Sequence, residues 1–302
     1  MEHRTIDINT VNYNLKNNTA DFIREAEAFY YNQIYKTAEI IDRNASGKPL
    51  VLLSGPSGSG KTTTALALQR LLLKWGHRVY VISMDHYYKT MTEEERQNPN
   101  IDLESPARLN IELLNDQLND MVKGRPVELP KYDFKNSLSL PSGRIIDRRP
   151  GDIIIIEGIH SLNPEVITVN EAFVTSIYVS VRTRISTDRL TLHPERIRLL
   201  RRMLRDSSYR GRSIGATIGM YHSVQEGEAR YILPYKNRAQ QQIDSIIAYE
   251  LSIYKQLRSQ LSGYDGIEDL CYVLDCIEDL DQDYVPEDSL LREFIGGSCF
   301  SY

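Results

Sequence analysis

The chain has 302 residues, 41% of them hydrophobic and 25% charged, which is ordinary for a globular protein that buries a full core. Its formal net charge of -5 excludes a global positive field that would attract nucleic acid or an anionic membrane. The three cysteines, all in the last 32 residues, have neither disulfide nor metal-ligand spacing and fit a reducing compartment.

The N-terminal sequence, MEHRTIDINT, lacks the apolar core of a signal peptide, and no stretch of the chain approaches about 18 consecutive apolar residues. We therefore expect a cytoplasmic protein with no membrane partner. The negative charge disfavours a nucleic-acid partner, and a homo-oligomer is left open.

The first predicted element is an amphipathic helix over residues 22–41, where apolar and aromatic residues recur at roughly helical spacing. After the linker NASGKP, four apolar runs predict strands at 50–53, 79–83, 153–156 and 177–181. Helical patterns cover 61–75 and 109–122. Continuous apolar strands separated by helices indicate a doubly wound α/β fold with a parallel sheet covered on both faces.

The segment GPSGSGKT, residues 55–62, follows the first strand, opens a helix and satisfies the motif G-x-x-x-x-G-K-[ST]. In this context the backbone N–H groups of the turn surround phosphate oxygens, and the helix N-terminus adds partial positive charge. Lys61 is expected to reach the β and γ phosphates, and the Thr62 hydroxyl to ligate Mg²⁺. The motif predicts binding of a nucleoside triphosphate, taken as ATP, through Gly55, Ser57, Gly58, Ser59, Gly60, Lys61, Thr62 and Thr63.

A carboxylate, Asp85, follows the strand over 79–83 and is expected at the carboxyl edge of the sheet, where α/β proteins collect ligand groups. It can accept the proton of an attacking hydroxyl during phosphoryl transfer, so it is a candidate catalytic base and acceptor-binding residue. The alternative is a helix or turn cap. Tyr87 and Tyr88 offer flat surface to a ring-bearing substrate, or are simply core and rim residues.

Residues 127–152 alternate short β-prone pieces with Pro, Asn, Ser and Gly, and they predict a hairpin excursion of the kind that often carries substrate contacts. The next strand ends in Glu157, which suits Mg²⁺ or its water shell beside the phosphate turn. The alternative for Glu157 is a solvated edge residue.

The segment after the last of these strands, residues 182–212, holds ten arginines, three carboxylates and no lysine. Guanidinium groups suit bidentate phosphate binding and stabilise a transferring phosphoryl group, which favours an arginine-rich lid. A salt-bridged surface helix and an RNA-binding helix are the alternatives. The candidates on the polar face of the helix and at the lid tip are Arg198, Arg202, Arg205, Arg210 and Arg212.

A further core helix is predicted from an apolar stripe formed by Ile243, Ile247, Leu251, Tyr254, Leu257 and Leu261. The acidic tail from Tyr264 ends LLREFIGGSCFSY, and its composition indicates no function. We divide the chain into an N-terminal helical extension (1–46), a P-loop domain (47–262) and a C-terminal extension packed on it (263–302).

Six segments match the motifs of one family of kinases, in the order in which that family carries them. They are GPSGSGKTT, ISMDHYY, IDLESPARLN, LPKYDF, IIIIEGIHSLN and RRMLRDSSYRGRS. Through them the chain resembles the uridine kinase and phosphoribulokinase family of P-loop kinases. It is more closely similar to the kinase portion of bacterial uridine kinase-like nucleoside kinases, over nearly everything beyond residue 20.

This resemblance implies Asp85 as general base, Glu157 on the magnesium ion and Asp102 on the ribose hydroxyls of the substrate. By the same matching, Tyr132 and Phe134 face the base of the nucleoside. The implied catalytic and ATP-binding arginines on the phosphates are Arg205 and Arg210, with Arg202 and Arg212.

Three positions depart from the family pattern. Ser137 stands where uridine-cytidine kinases place a histidine, while Gln225 and Gln240 replace an arginine and an acid that close relatives usually show. Pyrimidine recognition is therefore not carried over from the resemblance.

The sequence thus predicts a nucleoside kinase that uses ATP and Mg²⁺ to phosphorylate the 5′-hydroxyl of a uridine-like nucleoside. One alternative keeps the fold and phosphorylates another small alcohol, such as a sugar phosphate. The other is a non-catalytic, ATP-gated regulatory protein associated with RNA, against which the pair Asp85 and Glu157 argues.

Overall fold

A computed structural model describes residues 4–97, 101–102 and 104–302, so residues 1–3 of the predicted N-terminal extension lie outside the described residues. The strands are β1 (Thr5–Asp7), β2 (Leu50–Ser54), β3 (Val79–Ser83), β4 (Val127–Asp133), β5 (Leu138–Ile146), β6 (Ile153–Glu157), β7 (Val174–Ser180), β8 (Arg184–Ser186), β9 (Thr191–Leu192) and β10 (Gln241–Asp244). The helices are α1 (Ile8–Asn17), α2 (Thr19–Asn44), α3 (Lys61–Lys74), α4 (Glu93–Gln97), α5 (Ile111–Val122), α6 (Pro194–Tyr209), α7 (Ile214–Gly219), α8 (Tyr221–Tyr231), α9 (Glu250–Tyr254), α10 (Glu268–Cys276) and α11 (Arg292–Ile295).

The centre of the molecule is a five-stranded parallel sheet in the order β10-β7-β2-β6-β3. Its inner strands β2, β6 and β7 are buried along their whole length, which explains why their sequences are continuous apolar runs rather than alternating ones. The predicted doubly wound α/β fold is confirmed, and all four predicted strands are present in it.

Two apolar cores lie on the two faces of this sheet, and successive side chains of β6 alternate between them. Ile153 and Ile155 belong to the core formed with α2, α3, α6 and the C-terminal helices. Ile154 and Ile156 belong to the core formed with α5 and β4. None of the helices in the described ranges is both long and apolar enough to cross a membrane.

The predicted hairpin is formed by β4 and β5, which pair antiparallel with a register shift between Glu128 and Pro130. Most residues of β5 are exposed, so only one side of the hairpin is covered by the protein. The hairpin packs against the short turn Met84–Tyr87 that follows β3. This contact brings the excursion to the edge of the sheet at which Asp85 lies.

One predicted element is wrong. The stripe assigned to a helix over 243–261 begins in β10, where Ile243 pairs with Val179 of β7 at the edge of the sheet, and the helix α9 starts only at Glu250. A four-residue edge strand offers too few positions to separate a two-residue period from a helical one. Tertiary pairing with β7 decides the outcome.

Candidate active site

The phosphate cradle, residues 55–60, connects β2 to α3, and its backbone is in the conformation that the motif requires. Gly58 and Gly60 have φ angles of 74° and 82°, which glycine adopts without steric cost. Gly60 is the N-cap of α3, and Lys61 is its first residue. The N–H groups of the first helical turn have no partners inside the helix and can bind an anion.

The outer side of the cradle is held by two arginines of α6. Arg198 donates to the Ser57 carbonyl at 3.0 Å, and Arg201 donates to the Gly58 carbonyl at 3.2 Å. Because guanidinium groups hold these carbonyls from outside, the loop is braced in its curved form. Arg198 is therefore not part of a phosphate-binding cluster, and the salt-bridged alternative from the sequence holds for it.

Each of these two arginines has its own carboxylate. Arg198 binds both oxygens of Glu228 at 2.6 and 2.7 Å, and Arg201 binds both oxygens of Glu250 at 2.7 and 2.9 Å. All four side chains are buried, and Arg201 is fully so. Bidentate geometry of this kind compensates for much of the cost of burying the charges.

Three further arginines of the segment gather around one carboxylate, Asp206. Arg205 lies 2.9 Å from it, Arg212 lies 3.4 Å away, and Arg210 lies 3.8 Å away. Burial alone would raise the pKa of the Asp206 carboxyl, but Arg205 and its neighbours hold that pKa below its ordinary value. Arg202 is buried beside them, and its Nε has no hydrogen-bond partner within the described part of the chain. The structure thus brings together the four arginines that the sequence predicts on the phosphates.

The three charged side chains of the predicted reaction centre influence one another electrostatically. Among the carboxylates, Glu157 and Asp85 have the largest effects on Lys61, whose ammonium donates to the Pro56 carbonyl at 3.2 Å. Burial lowers the pKa of the Lys61 ammonium, and the two carboxylates oppose that shift. Burial raises the pKa of the Glu157 carboxyl to about 7, and Lys61 counteracts that rise.

The pairing of β3 with β6 explains why these carboxylates are neighbours. Ser83 pairs with Glu157 at the carboxyl ends of the two strands, and Asp85 follows two residues later. Gly158 allows the close approach, since a Cβ at that position would lie 2.7 Å from the Cβ of Met84. Asp85 and Glu157 are therefore placed by one packed unit.

Aromatic side chains form a wall on the acceptor side of Asp85. The rings of Tyr88 and Tyr132 meet edge to face with centroids 5.5 Å apart, and Phe134 meets Tyr132 at 5.1 Å. Phe134 is 61% exposed, so this large apolar ring is open to solvent. Edge-to-face pairs are a preferred arrangement of aromatic rings, and here they fix the exposed Phe134 ring against the buried Tyr132 ring.

The residue implied for ribose binding, Asp102, lies beside this region but is already engaged. Its carboxylate accepts hydrogen bonds from the Tyr231 hydroxyl at 2.9 Å and from the Glu104 backbone N–H at 3.0 Å. Glu104 is a carboxylate that the sequence analysis missed, and burial raises its pKa. The charges of Arg202 and Lys61 oppose that rise, so Glu104 is within the electrostatic reach of the phosphate-binding candidates.

A sequence model of the Phosphoribulokinase / Uridine kinase family matches residues 50–252. The chain belongs to this family. A uridine kinase from Staphylococcus aureus is 35% identical over 178 residues, which are 58% of this chain and 76% of that protein. Family membership makes the protein a P-loop kinase, a nucleotide-binding transferase with an alcohol acceptor.

Solved structures with the same fold include a chain described as a fructose transport system kinase from Silicibacter sp. TM1040. Its TM-score is 0.53 at 18% identity, covering 70% of this chain and 98% of that one. A D-glycerate 3-kinase from Cryptococcus neoformans var. grubii has a TM-score of 0.44 at 15% identity, covering 71% and 89%. The first of these likenesses supports the fold of this kinase and nothing beyond it.

Two residues outside the family match contact the first turn of α3, directly after the cradle of this kinase. The Glu293 carboxylate accepts hydrogen bonds from the Thr63 N–H at 3.3 Å and from the Thr63 hydroxyl at 2.5 Å. The Tyr302 hydroxyl lies 3.1 Å from the same Thr63 oxygen. No spacing in the sequence signals these contacts, because they join positions 230 and 239 residues apart.

Proposed function

We propose that this kinase transfers the γ-phosphoryl group of ATP to the 5′-hydroxyl of a nucleoside, with uridine-like substrates favoured. The observation that carries the proposal is the position of Asp85, in the turn Met84–Tyr87 that packs against the hairpin. The charge of Asp85 also acts on Lys61, the first residue of α3. A nucleoside offers a ring for the aromatic wall and a primary hydroxyl for the carboxylate. We also infer the cytoplasmic location expected from the sequence.

In the proposed mechanism, Asp85 accepts the proton of the 5′-hydroxyl as its oxygen attacks the γ-phosphorus. The bond between that phosphorus and the bridging oxygen of ADP breaks, so the products are a nucleoside monophosphate, ADP and a protonated Asp85. Lys61 and the arginines around Asp206 stabilise the charge that develops on the transferring group. Their fixed positions need no rearrangement at the moment of transfer.

A magnesium ion fits the oxygen donors at this edge of the sheet. The Thr62 hydroxyl and the buried Glu157 carboxylate are hard ligands, and Mg²⁺ is usually bound by one or two carboxylates together with substrate phosphates. When bound, the ion supplies neutralisation of phosphate charge. Deprotonated Glu157 is the form that can hold it.

A phosphorylated alcohol is the second candidate acceptor, because the hairpin also carries cations. Burial lowers the pKa of the His86 imidazole, and the positive charges of Arg144 and Lys131 lower it further. These charges lie near Asp85 and suit a substrate that brings its own phosphate. The departure at Ser137 leaves base recognition to be established by measurement.

A coupled ADP-release assay across nucleosides and small alcohols, including sugar phosphates, tests both candidates. We expect the highest kcat/KM with a nucleoside. Asp85→Asn should lower kcat on the order of 10²-fold or more with ATP affinity retained. Turnover of a sugar phosphate alone would replace the nucleoside with the second candidate, and ATP binding without any turnover would favour a regulatory role.

A further inference from the structure

The last part of the chain, residues 289–302, forms a segment that packs on the cradle, and we call it the C-terminal segment. Leu290 is fully buried, and a Cβ on Gly60 would lie 2.5 Å from its Cδ1 atom. Phe294 is also fully buried, with the Arg201 guanidinium 5.2 Å from the centre of its ring. The segment is therefore anchored on both the cradle and α6.

Within this anchored segment, Glu293 occupies an anion-binding position. The Thr63 N–H that it binds is the third of the first helical turn of α3, and it has no partner inside the helix. The positive end of the helix favours a negative charge at this point. The carboxylate also receives the Thr63 hydroxyl, so one oxygen, Oε2, takes both donors of the residue.

A phosphate group bound in the cradle needs donors from the same turn. Glu293 is also among the charges acting on Lys61 and on Glu157, so its carboxylate lies within the electrostatic reach of the reaction centre. Two anions cannot share the donors of Thr63 without strong repulsion. Binding of one must weaken binding of the other.

We propose that Glu293 is a determinant of nucleotide affinity, a carboxylate that holds the Thr63 donors when the cradle is empty and yields them to a nucleotide phosphate. This inference rests on the proposed binding of ATP. The exchange requires the Glu293 side chain to rotate and the Tyr302 hydroxyl, 3.1 Å from the Thr63 hydroxyl, to give up that contact. The buried side chains of Leu290 and Phe294 keep the backbone of the segment in place. The competing charge of Glu293 then lowers the affinity of the kinase for nucleotide.

The test uses Glu293→Gln, which keeps the size of the side chain and removes its charge. Hydrogen bonds to charged groups are stronger than those to neutral ones, so this variant should bind Mg·ATP about tenfold more tightly by isothermal titration. Inorganic triphosphate should show the same gain, because the competition concerns phosphate. Glu287→Gln is the matched control, since it removes the same charge from an exposed position just before the segment and should leave both affinities unchanged.

Equal ATP affinity in the wild type, Glu293→Gln and Glu287→Gln overturns the inference while leaving the proposed function intact. Weaker ATP binding by Glu293→Gln overturns it as well, because it makes Glu293 a support of the cradle. Failure of all three proteins to bind ATP removes the proposed function itself. If Glu293→Gln does not fold, Glu293→Asp draws the carboxylate back by one carbon, and its expected two- to threefold gain in affinity replaces the test.

Discussion

Helix α6 and the turn that follows it carry two sets of arginines whose charges are balanced in different ways. Arg198 and Arg201 are buried, and each binds a carboxylate of its own while bracing a carbonyl of the cradle. Farther along, Arg205, Arg210 and Arg212 share the one carboxylate of Asp206. The first set is neutral within the protein, whereas the second has an excess of positive charge.

This difference distinguishes arginines that stabilise the fold from arginines that retain donors for a ligand, within one arginine-rich segment. Arg201 directs all five of its N–H donors to protein oxygens, and Arg198 directs three of its five. The charge of each is also matched by a carboxylate, which leaves little positive charge for a ligand. A group of cations around one carboxylate retains donors and unbalanced charge, which an incoming phosphate can satisfy. We therefore expect an anion at the arginines that share a carboxylate, rather than at those that each have one of their own.

The sharpest test of the comparison is Arg205→Met. We expect kcat to fall by about 10³-fold, the effect of losing an arginine that stabilises a transferring phosphoryl group. Stability should change little, since Asp206 keeps Arg210 and Arg212. Steady-state ADP release and urea unfolding measure the two quantities. Full activity with lost stability would move Arg205 into the structural set.

The opposite pattern is expected for Arg201→Met. Removing this side chain leaves Glu250 buried without its cation, which should lower the free energy of unfolding by about 3–5 kcal/mol. Urea unfolding of the single variant and of a variant with Glu250→Leu added measures the effect, because the second change removes the unpaired charge. A small loss in the single variant would show that the pair does not hold the fold.

A smaller effect is expected from Arg210→Lys, which keeps the charge and loses the planar fork. We expect kcat to fall by about tenfold while retention on a polyanion stays level. Turnover and RNA binding, each measured at two ionic strengths, separate a lid from an RNA-binding helix. Tight, salt-sensitive RNA binding with unchanged turnover would favour the regulatory alternative.

The smallest effect is expected at the hairpin formed by β4 and β5, which carries neither set of arginines. Tyr132→Ala should raise the KM of the acceptor by about two- to tenfold, the range expected for one aromatic contact, and leave the KM of ATP unchanged. Ile145→Ala is the control, since it removes an exposed apolar side chain of the same hairpin. Equal losses for acceptor and ATP would make the hairpin part of the framework of the site.

The fold around the cradle could be predicted because its signals are local. A buried strand, a glycine-rich turn and an amphipathic helix follow each other within residues 50–74, and each leaves its own pattern in the sequence. Local strand patterns likewise place Asp85 just after one strand and Glu157 at the end of another, at the carboxyl edge of the sheet. That these two strands are neighbours is shown only by the structure. The roles of the site residues and the domain limits at 46 and 262 stay predictions.

What could not be predicted depends on contacts between distant parts of the chain. Arg198 and Arg202 lie one turn apart on a helix and look alike in sequence, yet Glu228 of α8 binds the first. The contact of Glu293 with Thr63 likewise has no local signature. Ile243 was misassigned for the same reason, because its partner strand lies more than 60 residues earlier.

The tight packing of Gly158 against Met84 has a consequence for which substitutions this kinase can accept. A side chain at position 158 would displace the turn that carries Asp85, so a change there alters the geometry of the sheet edge. Strand β5 is under no such restriction, since most of its residues face solvent. The exposed face of β5 can therefore be redesigned without moving Asp85, whereas changes in β4 act on the turn directly because β4 packs against it.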